Sequence, residues 1–143
     1  MQLRIVPVTP LQQNCSLIWD TATKHAAFVD PGGDVDTLLG ALKHFGLTLK
    51  RIWLTHGHLD HAGAAAELRE RTGVAVEGPH KDDQFWLDQI DDGSRRYGLS
   101  GARNVTPSNS NSSPSSKYRS GTTLRKPLSP YLRALSSIWS SQN

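Results

Sequence analysis

The stretch Leu54-Thr55-His56-Gly57-His58-Leu59-Asp60-His61 places three imidazoles and one carboxylate within six consecutive positions. The apolar and β-branched segment 49–55 predicts a buried strand, and the segment 62–72 after the histidines predicts a helix. The side chains that could bind metal are therefore expected on a loop between a strand and a helix.

The spacing within this stretch predicts a pair of metal ions rather than one. His56 and His58 lie two residues apart, and Gly57 between them lets the backbone bend so that both rings face one side. Asp60 and His61 are adjacent and point more naturally to a second position. Four metal-competent groups at this spacing indicate a metal site more strongly than coincidence. Nitrogen and oxygen donors without a thiolate favour zinc, with iron and manganese as alternatives.

The remaining hydrophobic pattern predicts a mixed sheet covered by helices. An apolar stripe ending before Gly46 indicates a helix, with Asp34 as its N-cap and Gly46 at its C-terminal end. Phe85, Trp86 and Ile90 are expected to pack inward. The predicted strands are residues 3–8, 14–19, 25–29, 49–55 and 74–76, and the helical stripe is Val35, Leu38, Leu39, Leu42 and Phe45.

Three segments together resemble the metallo-β-lactamase superfamily, and within it the glyoxalase II-like hydrolases (hydroxyacylglutathione hydrolases). They are Gln13-Asn14-Cys15-Ser16-Leu17-Ile18, Ala27-Phe28-Val29-Asp30-Pro31-Gly32-Gly33-Asp34, and the Thr-His-x-His-x-Asp-His stretch from Thr55. The likeness covers residues 1 to about 107. It implies an α/β (α+β) fold, the N-terminal half of an αββα sandwich whose mixed sheet is flanked by helices.

The resemblance also implies a function and a site. His56 and His58 would bind a first metal, and Asp60 and His61 a second, with Asp60 as the catalytic residue that hydrogen-bonds the nucleophile. Two zinc ions would ionise a water that attacks a thioester such as S-lactoylglutathione. Asp30 would support the metal loop, although it can equally be a carboxylate that ends a strand. The family takes further ligands from later segments, which are not recognisable here, so this chain is expected to be impaired.

The C-terminal part differs in composition from the rest of the chain. All 13 acidic residues precede residue 93, whereas residues 93–143 contain eight Lys and Arg residues and no acid. Residues 108–143 include 12 serines and no histidine. We therefore expect a partial metallo-β-lactamase-like domain over residues 1–107. Residues 108–143 are expected to be a Ser/Arg-rich, low-complexity tail that is disordered or encoded in a shifted reading frame.

Two alternative functions use the same residues. The first is a metal-dependent nuclease of the same superfamily, which the basic tail favours and the net negative charge of residues 1–92 opposes. The second is a non-catalytic, truncated fragment. The expected partner is a small thioester. Nucleic acid is not expected because acids outnumber bases in residues 1–92, and a membrane is not expected because no apolar run approaches the ~20 residues that span a bilayer. The N-terminus lacks the layout of a signal peptide, which predicts a cytoplasmic protein. Cys15 is expected to be a buried thiol.

Overall fold

The computed structural model describes residues 1–99 and 101–108 of the 143-residue chain. Eleven elements follow one another in this part, including a single 3-10 turn. They are β1 (Gln2–Val8), β2 (Gln13–Trp19), β3 (His25–Val29), α1 (Val35–Phe45), β4 (Thr48–Trp53), α2 (Leu59–Ala62), α3 (Ala65–Thr72), β5 (Val76–Glu77), the 3-10 turn (Lys81–Asp83), α4 (Gln84–Leu87) and α5 (Ile90–Tyr97).

The five strands form one mixed sheet in the order β1-β2-β3-β4-β5. The pairs β1 with β2 and β2 with β3 are antiparallel, whereas β3 with β4 and β4 with β5 are parallel. The C-terminal ends of β3, β4 and β5 therefore share one edge of the sheet with the N-terminal end of β2. This arrangement confirms the mixed α/β fold predicted from the sequence.

The core lies between one face of the sheet and the helices. Leu17, Phe28 and Ile52 from three neighbouring strands are completely buried, as is Leu38 of α1. In α1, Val35, Leu38 and Leu42 are buried, which confirms the central part of the predicted stripe. Because each strand alternates its side chains between the two faces, these residues all lie on the face that the helices cover.

Both ends of α1 lie at the predicted residues, with Asp34 at the N-cap position and Gly46 at the C-terminal end. Gly46 has a φ of 63° and its N–H bonds to the carbonyls of Leu42 and Lys43, as a C-terminal glycine does. Asp34 precedes the helix but its side chain caps no helical N–H. Instead its Oδ2 accepts a hydrogen bond of 2.7 Å from the N–H of Thr9. The carboxylate therefore ties the β1–β2 turn to the start of α1.

The helix predicted over residues 62–72 is two helices, α2 and α3, and the first begins earlier, at Leu59. The N–H of Ala64 donates to the carbonyl of Pro31 at 2.9 Å. A continuous helix would use that N–H for an intrahelical bond, so the contact with the turn after β3 interrupts the helix.

The turn after β3 packs tightly against α2 because each contributes a glycine at the contact, Gly32 in the turn and Gly63 at the end of the helix. A Cβ at Gly32 would lie 1.6 Å from the carbonyl oxygen of Asp60, and a Cβ at Gly63 would lie 2.6 Å from the carbonyl oxygen of Gly32. Real Cβ atoms do not approach so closely. Glycine at both positions is therefore required for this contact.

Two further predictions need correction. Phe85 and Trp86 are 63% and 45% exposed, so they do not pack inward, whereas Ile90 is 1% exposed as predicted. In the single turn of α4 it is Leu87, at 1% exposure, that faces the core. The strand predicted over residues 74–76 is β5, a two-residue strand at Val76–Glu77. A strand this short carries too few residues to show an alternating pattern.

Most of the predicted tail lies outside the described residues, which end at Ser108. The N–H of Ser108 donates to the carbonyl of Val76 in β5 at 2.8 Å. Among residues 1–99 and 101–108, no helix combines the length and apolar character needed to cross a membrane.

Candidate metal centre

The predicted metal ligands gather at the sheet edge where β3 and β4 end. His56 and His58 follow β4 in a loop, as expected, whereas Asp60 and His61 lie in α2 and not on a loop. His58 immediately precedes that helix. The backbone thus turns sharply between residues 56 and 61, and the four side chains lie at the same edge of the sheet.

The three imidazoles of the stretch converge. The ring centroid of His56 lies 4.6 Å from that of His58 and 4.0 Å from that of His61. The ring of His58 also meets the ring of Trp86 edge to face, at 4.9 Å. His56 is therefore the middle member of the group, in contact with both other histidines.

Gly57 allows α4 to pack on the metal loop. A Cβ at Gly57 would lie 2.8 Å from the carbonyl oxygen of Asp83 and 2.9 Å from Cβ of Trp86. The glycine is therefore needed for this close approach, whereas its φ lies outside the left-handed region and the bend itself does not require glycine. This packing is what brings Trp86 beside His58.

Asp30 completes a compact donor group with two of the histidines. One ligand atom from each of Asp30, His56 and His61 lies within 4.8 Å of the others, and Asp30 is 7% exposed. From the sequence, Asp30 could support the metal loop or simply end a strand. The structure puts its carboxylate inside the histidine group. The sequence signal was an acid at the end of an apolar strand, just before Pro-Gly-Gly.

Thr55 holds the Asp30 carboxylate in place with two hydrogen bonds. Its N–H donates to Oδ1 at 2.7 Å and its hydroxyl donates to Oδ2 at 2.6 Å. The same hydroxyl lies 2.8 Å from Nδ1 of His56. Because a hydroxyl has one hydrogen and the carboxylate takes it, Nδ1–H of His56 must donate to the hydroxyl oxygen. His56 is therefore left with an unprotonated Nε2, the form in which imidazole binds a metal.

His61 lies between two carboxylates. Its Nδ1 is 3.3 Å from Oδ2 of Asp30, and its Nε2 is 3.5 Å from Oδ2 of Asp60. Nε2 of His61 and the Asp60 carboxylate thus face the same space, whereas Nδ1 faces the buried Asp30. The predicted pairing of Asp60 with His61 is compatible with this geometry.

The electrostatics of the group favour a neutral His56. Burial lowers the pKa of His56 from its ordinary value of 6.5, and the neighbouring His61 lowers it further, against the opposing charge of Asp30. A neutral ring is the form that a metal requires. Cys15 has a completely buried side chain, and burial raises the pKa of its thiol. This confirms the predicted buried thiol.

The donor set fits a divalent transition metal. Imidazole nitrogen and carboxylate oxygen are the ligands that zinc, iron and manganese accept, and no thiolate takes part. Two groups at this edge had no signal in the sequence as parts of the centre: the hydroxyl of Thr55 and the side chain of Gln13, which reaches to 3.3 Å from Nδ1 of His61. Thr55 contacts Asp30 across 25 residues of sequence and Gln13 contacts His61 across 48, and a local sequence pattern does not reveal such contacts.

The sequence matches curated proteins over its first two thirds. It is 46% identical over 99 residues to the hydroxyacylglutathione hydrolase GloC of Haemophilus influenzae, covering 69% of this chain and 46% of that protein. It is 36% identical over 87 residues to the probable metallo-hydrolase YqgX of Bacillus subtilis, covering 61% of this chain and 40% of that protein. The chain thus spans about half the length of the curated relatives it matches.

The fold matches solved structures over about three quarters of this chain and half of theirs. The di-iron-bound form of TTHA1623 superposes with a TM-score of 0.64 and 32% identity, over 73% of this chain and 51% of that one. The BLEG-1 B3 metallo-β-lactamase superposes with a TM-score of 0.64 and 31% identity, over 76% of this chain and 51% of that one.

The sequence model of the Metallo-beta-lactamase superfamily matches residues 8–131. This match extends beyond residue 107, where the sequence predicts the domain to end, into a segment outside the described residues. Family match, relatives and solved structures agree with the resemblance carried by the histidine stretch. The chain therefore belongs to the metallo-β-lactamase superfamily.

Proposed function

We propose that this chain carries part of the metal centre of a metal-dependent hydrolase whose substrates are thioesters. The observation that supports it is the convergence of three imidazoles and the buried Asp30 carboxylate at one sheet edge. Relatives named as hydroxyacylglutathione hydrolases favour a glutathione thioester as the substrate class. The proposed location is the cytoplasm.

We assign the proposed ligands to the two ions in the order in which they occur in the sequence. His56 and His58 would hold one ion, and Asp60 and His61 would hold a second. The metal, when bound, would act as a Lewis acid that makes water a nucleophile at neutral pH. Zinc is the proposed metal, and the di-iron form of TTHA1623 keeps iron as an alternative.

The other polar residues of the centre would position the ligands. Asp30 and Thr55 fix the protonation of His56 and hold its Nε2 free for a ligand bond. Asp60, with 39% of its side chain exposed, can reach a nucleophile or substrate that enters from solvent, which suits the catalytic role proposed for it.

Metal content and hydrolysis, measured on the purified 143-residue chain, test the proposal. We expect bound zinc or iron by elemental analysis, a loss of metal in His56→Ala and His61→Ala, and hydrolysis of S-lactoylglutathione that follows metal content. His80→Ala is the matched control, because His80 is exposed and its ring nitrogen accepts a bond from the N–H of Asp82, outside the cluster.

The alternatives predict different results in the same experiment. Cleavage of single-stranded RNA without thioester hydrolysis would favour the nuclease. Metal-free protein with neither activity would favour the non-catalytic fragment. Equal metal content in His56→Ala, His61→Ala and His80→Ala would contradict the proposed ligands.

A further inference from the structure

We propose that Gln13 is a positioning residue for His61, which makes Nε2 of that histidine the nitrogen that binds metal. The proposal rests on the metal centre proposed above and deepens it. Gln13 is the first residue of β2, and its side chain reaches the centre because the start of β2 lies at the edge where β3 ends.

The two nitrogens of His61 face different surroundings. Nδ1 is 3.3 Å from Oδ2 of Asp30 and 3.3 Å from Nε2 of Gln13, so protein groups occupy the space in front of it. Nε2 is 3.5 Å from Oδ2 of Asp60, whose side chain is partly exposed. An ion shared with Asp60 can therefore reach Nε2, whereas Nδ1 is blocked by Asp30 and Gln13.

Metal binding through Nε2 sets a condition on Nδ1. A neutral imidazole carries one N–H, so a ring that gives its Nε2 lone pair to a metal has its hydrogen on Nδ1. That hydrogen needs an acceptor, and the nitrogen of the Gln13 amide cannot serve. The Asp30 carboxylate is one acceptor, and the amide oxygen of Gln13 is a second.

The amide oxygen of Gln13 is available to accept the hydrogen bond from Nδ1–H of His61. Oε1 of Gln13 is buried and has no hydrogen-bond partner within the described part of the chain. Rotation about the last side-chain torsion, which has a soft energy profile, exchanges the oxygen and nitrogen of the amide. The rotation ends the bond of 3.0 Å from Nε2 to the exposed carbonyl of Asn14, which must turn to water, and it moves the amide nitrogen into the buried place that Oε1 occupied. In exchange, the buried oxygen gains the Nδ1–H of His61.

The test compares Gln13→Leu, Gln13→Glu and the unsubstituted 143-residue chain. Leucine removes the acceptor, whereas glutamate keeps an oxygen at the same reach. We expect the zinc affinity of Gln13→Leu, measured by chelator competition, to fall about 10–100-fold, as for other residues that orient metal ligands. Gln13→Glu should retain the affinity of the unsubstituted chain. Gln2→Leu, at the opposite end of the β1–β2 hairpin, is the matched control and should also retain it.

A second measurement separates this proposal from the proposed function. Ring-¹⁵N NMR of His61, assigned with His61→Gln, reports which nitrogen carries the hydrogen without requiring activity. We expect Nδ1–H in the unsubstituted chain and in Gln13→Glu, and a mixture of both forms in Gln13→Leu. This pattern in a chain that binds no zinc would support the positioning role while the proposed function fails.

Three results would overturn the proposal. The first is an unchanged His61 spectrum and zinc affinity in Gln13→Leu. The second is a Gln13→Glu variant that behaves like Gln13→Leu, because the acceptor oxygen would then have no effect. The third is an equal loss of affinity in Gln2→Leu, which would indicate a general effect on the hairpin.

Discussion

Replacement of Thr55 by valine should destabilise the protein and weaken metal binding together. Valine has the shape of threonine but lacks the hydroxyl, which donates to Oδ2 of the buried Asp30 at 2.6 Å and lies 2.8 Å from Nδ1 of His56. A hydrogen bond to a charged group contributes about 1.5–3 kcal/mol. Since Thr55 itself is exposed and water can partly replace its hydroxyl, we expect the lower end, about 1.5 kcal/mol.

The assay is urea unfolding of metal-free protein, with Thr55→Ser as the control. Serine keeps both the hydroxyl and the N–H, so its free energy of unfolding should stay close to that of the unsubstituted chain. The expected loss in Thr55→Val corresponds to a fall in Tm of about 6 °C. In the same variant, His56 loses the acceptor that holds its hydrogen on Nδ1, so zinc affinity should fall by about tenfold or more. Equal stability and equal zinc affinity in the valine and serine variants would refute the argument.

Four further predictions follow from the packing and the charges. Gly57→Ala should cost about 1–3 kcal/mol, because the new Cβ would meet the carbonyl of Asp83 at 2.8 Å. Gly40→Ala, where nothing lies within 4 Å, should gain about 0.5–1 kcal/mol in thermal or urea unfolding. The Cys15 thiol, buried and with a raised pKa, should react with a disulfide reagent only as fast as the protein unfolds; rapid labelling of folded protein would contradict this. The lowered pKa of His56 means that the unfolded state binds more protons just below pH 6.5, so metal-free protein should lose stability as pH falls below that value. His56→Gln should lose less, and an identical pH dependence would be the contrary result.

The sequence predicted those elements whose signals are local. The strands β1 and β2 each begin one residue before their predicted bounds and end as predicted, and β3 was predicted with its observed bounds, His25–Val29. The helix α1 follows an apolar stripe and ends at Gly46. The proposed metal ligands could be picked out from the sequence because four of them lie within six residues. In each case the information lies within about ten consecutive residues.

The errors arise where a distant contact decides the local structure. A helix over residues 62–72 is a sound expectation for that segment alone, but the carbonyl of Pro31 takes the N–H of Ala64 and divides it. Likewise Trp86 lies beside His58 rather than in the core, because its turn of helix packs on Gly57, where only a glycine fits. Neither contact can be predicted from the residues that neighbour it in the sequence. The two interpretations of Asp30 stayed open for the same reason, because they differ only in which distant residues lie beside its carboxylate.

The sheet topology explains why distant residues orient the histidines. Asp30 follows β3 and Thr55 follows β4, and because these strands are parallel both residues lie at the same edge of the sheet. Gln13 begins β2, which is antiparallel to β3, and therefore reaches that edge from the opposite direction. Among residues 1–99 and 101–108, the polar groups found next to the two histidine rings are Gln13, Asp30, Thr55 and Asp60.

His56 and His61 therefore take their orientation from contacts that need no ligand supplied by a later segment. If this is so, the arrangement of the two rings in this chain should match that in longer relatives. A chain with two protein ligands for each ion would then bind metal weakly but through the same nitrogens. Measured affinity and ring-nitrogen spectra separate these two effects, because affinity depends on how many ligands bind and the spectra depend on how each ring is held.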